Sequence, residues 1–125
     1  MEIPNELLYT EEHEWVLVDD GVVAVGITDY AQGELGDIVF VELPGVDTEV
    51  KQTEPFGTIE AVKAVSDLFS PVSGVVVEIN DLLQDKPELI NQSPYDEGWM
   101  IKIRMSDTSE LKSLMSPESY KKHIS

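Results

Sequence analysis

Five short runs rich in β-branched and aromatic residues, each bounded by glycine, proline or paired acids, set most of what this chain can fold into. Trp15-Val16-Leu17-Val18 and Val22-Val23-Ala24-Val25 flank Asp19-Asp20-Gly21, a good hairpin turn. Ile38-Val39-Phe40-Val41-Glu42-Leu43 is stopped by Pro44-Gly45, and Val75-Val76-Val77-Glu78-Ile79 follows Pro71 and Gly74. Trp99-Met100-Ile101-Lys102-Ile103-Arg104 alternates apolar and charged residues, as a half-buried strand does. Helices are expected to be short and peripheral. Asp107-Thr108-Ser109-Glu110 has the form of a capping box, opening a helix through Leu111, Leu114 and Met115. Ser116-Pro117-Glu118 sets a cap residue before a proline at the first helical position, with a final turn through Tyr120. Asn80-Asp81-Leu82-Leu83 opens another candidate helix, which Pro87 would disturb. The reading is one mostly-β domain over 1–125 with a C-terminal helical segment at about 107–123.

A chain of 125 residues can bury a real core without a metal or disulfide staple, and this one has no cysteine. Its net charge is −17 and lopsided: residues 1–62 hold fifteen acids and one lysine, residues 63–125 ten acids and seven bases. Such a surface repels nucleic acid and anionic membranes, whose binding relies on Lys and Arg. Solubility explains most acidic surfaces, and steering toward basic patches on protein partners is the sharper alternative. The N-terminus has neither the basic segment nor the apolar run of a secretory signal, and it is too acidic for a mitochondrial transit peptide. With no apolar stretch near the roughly 20 residues of a membrane helix, a soluble, monomeric, cytoplasmic protein is expected.

Little chemistry is visible in the chain itself. No nucleophile elbow, Walker loop or dinucleotide fingerprint appears. His13 and His123 lie near opposite ends and read as surface or hydrogen-bonded residues, so a zinc site is not expected. Glu11-Glu12 and Asp19-Asp20 lack calcium-loop spacing and read as solvated turns. Lys63 stands out. Fifteen acids precede it and only Lys51 among Lys and Arg does, and it lies in Glu60-Ala61-Val62-Lys63-Ala64-Val65-Ser66-Asp67. An isolated amine among small and β-branched residues looks like a handle presented to another enzyme. Glu60 and Asp67 nearby favour its ammonium form, which makes a poor Schiff-base nucleophile. Pattern leaves its setting open. Ile59, Val62, Val65 and Phe69 sit at near-helical spacing, whereas Pro55-Phe56-Gly57 and Pro71 bracket a stretch that also suits strands. A hairpin turning at Val62-Lys63-Ala64 would push the amine outward, although that turn lacks the Gly or Asn tight hairpins prefer.

Several motifs in order carry a resemblance. They are Tyr9-Thr10, His13-Glu14-Trp15, Val25-Gly26-Ile27-Thr28-Asp29-Tyr30-Ala31-Gln32 and Leu35-Gly36-Asp37-Ile38-Val39-Phe40-Val41-Glu42-Leu43-Pro44. Glu60-Ala61-Val62-Lys63-Ala64, Ser70-Pro71-Val72-Ser73-Gly74, Pro87-Glu88-Leu89-Ile90-Asn91, Ser93-Pro94-Tyr95 and Gly98-Trp99 follow. Any one is weak; the ordered set resembles the H-protein family of the glycine cleavage system over almost the whole chain.

That resemblance implies a barrel-sandwich hybrid of lipoyl/biotinyl-domain type, with Lys63 at a hairpin tip bearing lipoate in amide linkage (N6-lipoyl-lysine). It implies a carrier, not an enzyme, that takes the aminomethyl group of glycine from a pyridoxal-phosphate glycine dehydrogenase (decarboxylating) to a tetrahydrofolate-dependent aminomethyltransferase. An FAD-containing dihydrolipoamide dehydrogenase then reoxidises the dithiol, and a lipoate ligase or lipoyl/octanoyl transferase loads the lysine. Glu60 and Gly74, three residues before and eleven after Lys63, match the attachment hairpin and its recognition by the ligase, Gly74 chiefly as a backbone bend. Glu14 and Asp67 are the candidates for pairing with an aminomethyl cation in a cleft for the arm, with Ile27, Thr28 and Ala31 as its lining. Trp15 and Trp99 are expected in the core. The chain departs from the family pattern at Ala61, where Ser is usual, at Val75, where Glu is common, and at Asp47, where Gly is frequent. Other readings are a lipoyl relay to 2-oxoacid dehydrogenase complexes and an unmodified interaction protein that keeps the fold. A biotin carrier ranks low, because Val62 and Ala64 rather than methionines flank the lysine.

Overall fold

The computed structural model describes residues 2–125. At Asp20 the chain takes a left-handed turn (φ 60°), which Asp tolerates better than most side chains. The turn joins β2 (Glu14–Asp19) to β3 (Val22–Ile27), paired from Glu14↔Ile27 to Asp19↔Val22. β1 (Leu8–Tyr9) pairs with the outer edge of β2. On the other side of β3 come β9 (Ile101–Met105), β8 (Gly74–Ile79) and the short β5 (Glu49–Val50), giving the six-strand order β1-β2-β3-β9-β8-β5. A second sheet has the order β4-β6-β7, from Ile38–Glu42, Pro55–Ala61 and Val65–Phe69.

Alternation along the strands produces the core. Ile101 and Ile103 are fully buried while Lys102 and Arg104 face outward, and Val23 and Val25 do the same on the neighbouring strand. They pack with Val16 and Val76 against Ile38, Val41, Phe56, Ile59 and Leu68 of the smaller sheet. A second cluster of Leu7, Tyr9, Trp15 and Tyr120 lies where the C-terminal helix docks, with the Tyr9 and Tyr120 rings stacked at 4.6 Å. Trp15 lies flat over its cross-strand neighbour Gly26, where a Cβ would come within 2.6 Å of the indole nitrogen. Two sheets close over one core with short helices at the periphery, the barrel-sandwich hybrid that was expected.

Three local readings need adjusting. Trp99 and Met100 precede the last strand, which starts at Ile101, and Trp99 is half-buried with the Lys102 ammonium 5.1 Å from its ring. The expected capping box is only half formed. Asp107 caps Ser109, but the Glu110 carboxylate turns away to accept hydrogen bonds from the Ser73 N–H (2.7 Å) and hydroxyl (2.8 Å), and the segment Thr108–Ser113 is a 3-10 turn. The third adjustment is a helix the sequence reading did not separate from the following strand, α1 (Asp29–Leu35), capped by the Thr28 hydroxyl. Single-turn helices α2 (Leu82–Asp85) and α3 (Leu89–Gln92) lie on either side of Pro87, and α4 (Pro117–Ile124) starts at Ser116, whose hydroxyl accepts from the Ser119 N–H.

Gly74 is required by close approach. A Cβ there would overlap the Arg104 carbonyl oxygen on the adjacent strand. Gly74→Ala is therefore expected to destabilise the fold by about 2–3 kcal/mol, read as a lower urea midpoint at unchanged slope.

Candidate functional site

β6 and β7 form the hairpin that carries Lys63, with Glu60 opposite Val65 and the Ala61 N–H donating to the Ala64 carbonyl at 2.7 Å. None of Val62, Lys63 and Ala64 takes a positive φ, so the turn closes without glycine or asparagine. Helical spacing from Ile59 to Phe69 is overridden by strand pairing on both sides of β6. Val62, Lys63, Ala64 and Val65 are all exposed.

The tip rests on the turn between α1 and β4. The Val62 N–H donates to the Asp37 carbonyl at 3.1 Å, and Ile38 pairs with Ala61. Lys63 lies across Gly36, its Cε 3.4 Å and Nζ 3.9 Å from where a Cβ would stand there. Gly36 has a φ of 81°, which favours glycine. Asn91 of α3 braces this turn: its amide oxygen accepts from the Ile38 N–H (2.9 Å) and its nitrogen donates to the Gly36 carbonyl (2.9 Å) and to Gln32 (3.0 Å).

A hollow of about 250 Å³ opens between β7, α1 and the turn before β2. Ile27, Ala31, Leu35, Ile59 and Leu68 make its apolar walls, and Glu12, His13, Glu14, Tyr30, Glu34, Ser66 and Asp67 supply the polar ones. Glu14 and Ile27 meet here because they are cross-strand partners. Register sets Ser66 in the inward row with Val41 and Ile59, whereas Asp67 stands in the outward row with Glu42 and Thr58 and reaches the hollow at its rim. A larger hollow of about 480 Å³ lies beyond it, lined by Thr10, Glu14, Gln52, Thr53, Phe69, Ser70 and Ser113 among others.

Glu14 is the unusual group. Its side chain is 2% exposed, yet it has no cationic partner among the described residues. Burial pushes its carboxyl up to about 7, against the opposing effect of hydrogen bonds from the Thr10 hydroxyl (2.5 Å) and the Phe69 N–H (3.3 Å). His13 holds a left-handed backbone (φ 73°) and puts Nδ1 2.9 Å from the Tyr120 hydroxyl. Burial and the nearby His123 lower its pKa.

The structure thus brings Glu14, Ile27, Ala31 and Asp67 around one hollow beside the Lys63 hairpin. Thr28 is not among the lining residues. It is fully buried, its hydroxyl accepting from the Ala31 N–H (3.2 Å) and lying 2.7 Å from the Tyr120 hydroxyl, so it caps α1 from below. Glu60 is exposed on the hairpin, between Phe40 and Val65 across the strands. Gly74 belongs to the other sheet, paired with Val50 and Met105, and its close contact is with Arg104 rather than with the hairpin. Thr10, Gly36 and Asn91 entered the sequence reading only as parts of the ordered motifs and Ser66 only as part of the Lys63 run, none with a site role. Thr10 and Glu14 share one turn, and only its folded form shows that their side chains meet.

Because unfolding releases Glu14 to an ordinary carboxyl pKa, the native state binds the extra proton between about pH 4.5 and 7, and stability falls as pH rises through that window. Glu14→Gln removes this loss. Relative to wild type, the variant is expected to gain on the order of 2–3 kcal/mol between pH 4.5 and 8, measured by urea unfolding at both pH values.

Known proteins resemble this chain over nearly its whole length. A family model described as Glycine cleavage H-protein matches residues 7–125. The glycine cleavage system H protein of Halalkalibacterium halodurans is 58% identical, covering 98% of this chain and 96% of that protein. That of Staphylococcus saprophyticus is 56% identical, covering 99% and 98%. The crystal structure of a glycine cleavage system H protein from Mycobacterium marinum superposes with a TM-score of 0.91 at 38% identity, covering 98% of each chain.

Proposed function

Since the chain belongs to the glycine cleavage H-protein family, we propose that residues 1–125 act as one carrier domain whose Lys63 holds lipoate as an N6-amide. When bound, lipoate supplies the disulfide that accepts the aminomethyl group of glycine and gives it up to the next enzyme. The partners are then a pyridoxal-phosphate glycine dehydrogenase, a tetrahydrofolate-dependent aminomethyltransferase, an FAD-dependent dihydrolipoamide dehydrogenase and the ligase or transferase that loads Lys63. The reading places this work in the cytoplasm. No helix among the described residues is long and apolar enough to cross a membrane.

The observation that carries this reading is the exposed Lys63 at a hairpin tip beside a hollow that ends in a buried carboxyl. Ser66 and Asp67 lie three and four residues past Lys63, about 10–13 Å along an extended strand. A lysine extended by lipoate spans eleven bonds from Cα to its ring, roughly 14 Å at ordinary bond lengths. The chain's residues suit such an arm. Ile27, Ala31, Leu35 and Leu68 exclude water from its apolar stem, and Glu14 with Asp67 offers negative charge to an amine at its end. Glu60, exposed beside the tip, is available to the loading enzyme, while Gly74 serves the sheet.

Lys63→Arg is expected to fold with stability within about 0.5 kcal/mol of wild type, because the side chain is exposed, and to support no glycine cleavage. Peptide-mapped mass spectrometry of protein from its native cells is expected to find the lipoyl amide on Lys63. Glycine cleavage at the wild-type rate by Lys63→Arg is the result that sinks the carrier reading.

A further inference from the structure

The 10–14 turn closes through one hydroxyl. Thr10 Oγ1 accepts from the Glu14 N–H at 3.1 Å and lies 2.5 Å from Glu14 Oε1. A hydroxyl has one proton, so with the backbone N–H occupying a lone pair, that proton is left to donate to the carboxyl. The main chain tightens the same loop, with Thr10 N–H on the Glu14 carbonyl (3.0 Å) and His13 N–H on the Thr10 carbonyl (3.1 Å). Donor and acceptor are thus held face to face by the turn itself.

The surroundings offer the charged form of Glu14 little else. Glu11 and Glu12 precede it on the turn, Tyr30 and Glu34 face the hollow from α1, and Asp67 stands on β7. His13, with its pKa lowered, and the Tyr120 hydroxyl of α4 complete the ring around it. Among the described residues no lysine or arginine lines either hollow. Among the described residues, the Thr10 hydroxyl, the more distant Phe69 N–H (3.3 Å) and Glu14's own N–H are the donors that stabilise a carboxylate here, and hydrogen bonds to a charged acceptor are the stronger kind.

We propose that Thr10 is a positioning residue for Glu14: its hydroxyl orients the buried carboxyl and favours its ionised form, so that the hollow can receive a cation. The assignment deepens the carrier reading above and rests on it for the identity of that cation, an amine at the end of the arm. Loss of the proton from Glu14 converts the Thr10 contact into a charge-assisted bond, and the arriving ammonium pairs with the carboxylate.

The test is a 13C NMR titration of the Glu14 carboxyl in protein with unmodified Lys63, its signal assigned by its loss in Glu14→Gln. Thr10→Val removes the hydroxyl at constant shape, and Thr10→Ala does so without a branched side chain if valine hinders folding. Either is expected to make Glu14 about tenfold weaker as an acid, moving its midpoint up by about one pH unit, and Thr10→Ser is expected to restore it. An unchanged midpoint in the hydroxyl-free variants overturns the proposal, as does failure of serine to rescue. In lipoylated protein loaded with the aminomethyl group, the pH profile of its loss to water is expected to move by the same amount. If the carboxyl midpoint moves and that profile does not, Thr10 still controls Glu14, and it is the placement of the amine beside Glu14 that fails.

Discussion

A sheet with one apolar face must bury that face against another layer, and everything this protein presents depends on that. β4, β6 and β7 lay Ile38, Val41, Phe56, Ile59 and Leu68 onto the Val16, Val25, Ile101 and Ile103 face of the larger sheet. The Lys63 hairpin is the free end of the smaller layer. Its exposed tip therefore grows from a strand, β6, that is paired on both edges and buried at Phe56, Ile59 and Ala61. The bond from Val62 to Asp37 and the Asn91 brace fix that tip relative to α1. A rigid base with an exposed lysine suits the attachment role proposed for Lys63 above.

Charge is distributed in the opposite sense from most stability devices. The chain is strongly acidic, and among the described residues its one ion pair, Lys102 with Glu78 at 3.5 Å, is surface-exposed and worth little. Stability comes from the apolar contact of the sheets. Glu14 is an acid spent inside the protein, where burial without a cation costs stability above its titration midpoint. A buried acid that weakens its own fold is better explained by function than by structure.

Much of this was legible in the sequence because period and punctuation agreed. The 14–27 hairpin, the 38–42 and 74–79 strands and the Ser116-Pro117 helix start all follow from local patterns that the fold respects. The Lys63 hairpin was ambiguous because its turn uses ordinary backbone angles, so no glycine marks it. α1 was hidden because Gly33 interrupts it and none of its residues is fully buried, leaving no strong apolar stripe. Glu110 looked like a capping residue until a more distant partner, Ser73, competed for it. Within the site, Glu14, Ile27, Ala31 and Asp67 were named from family motifs, while Thr28 was displaced from the lining by its role beneath α1. Side-chain pairings such as Thr10 with Glu14 have no period to read.

The link between His13 and Tyr120 joins residues 107 positions apart. During synthesis the Lys63 hairpin and its supporting strands emerge well before α4 does. His13, a wall of the hollow, is therefore braced by a side chain made long after the hairpin, and a nascent chain shows Lys63 before that brace exists.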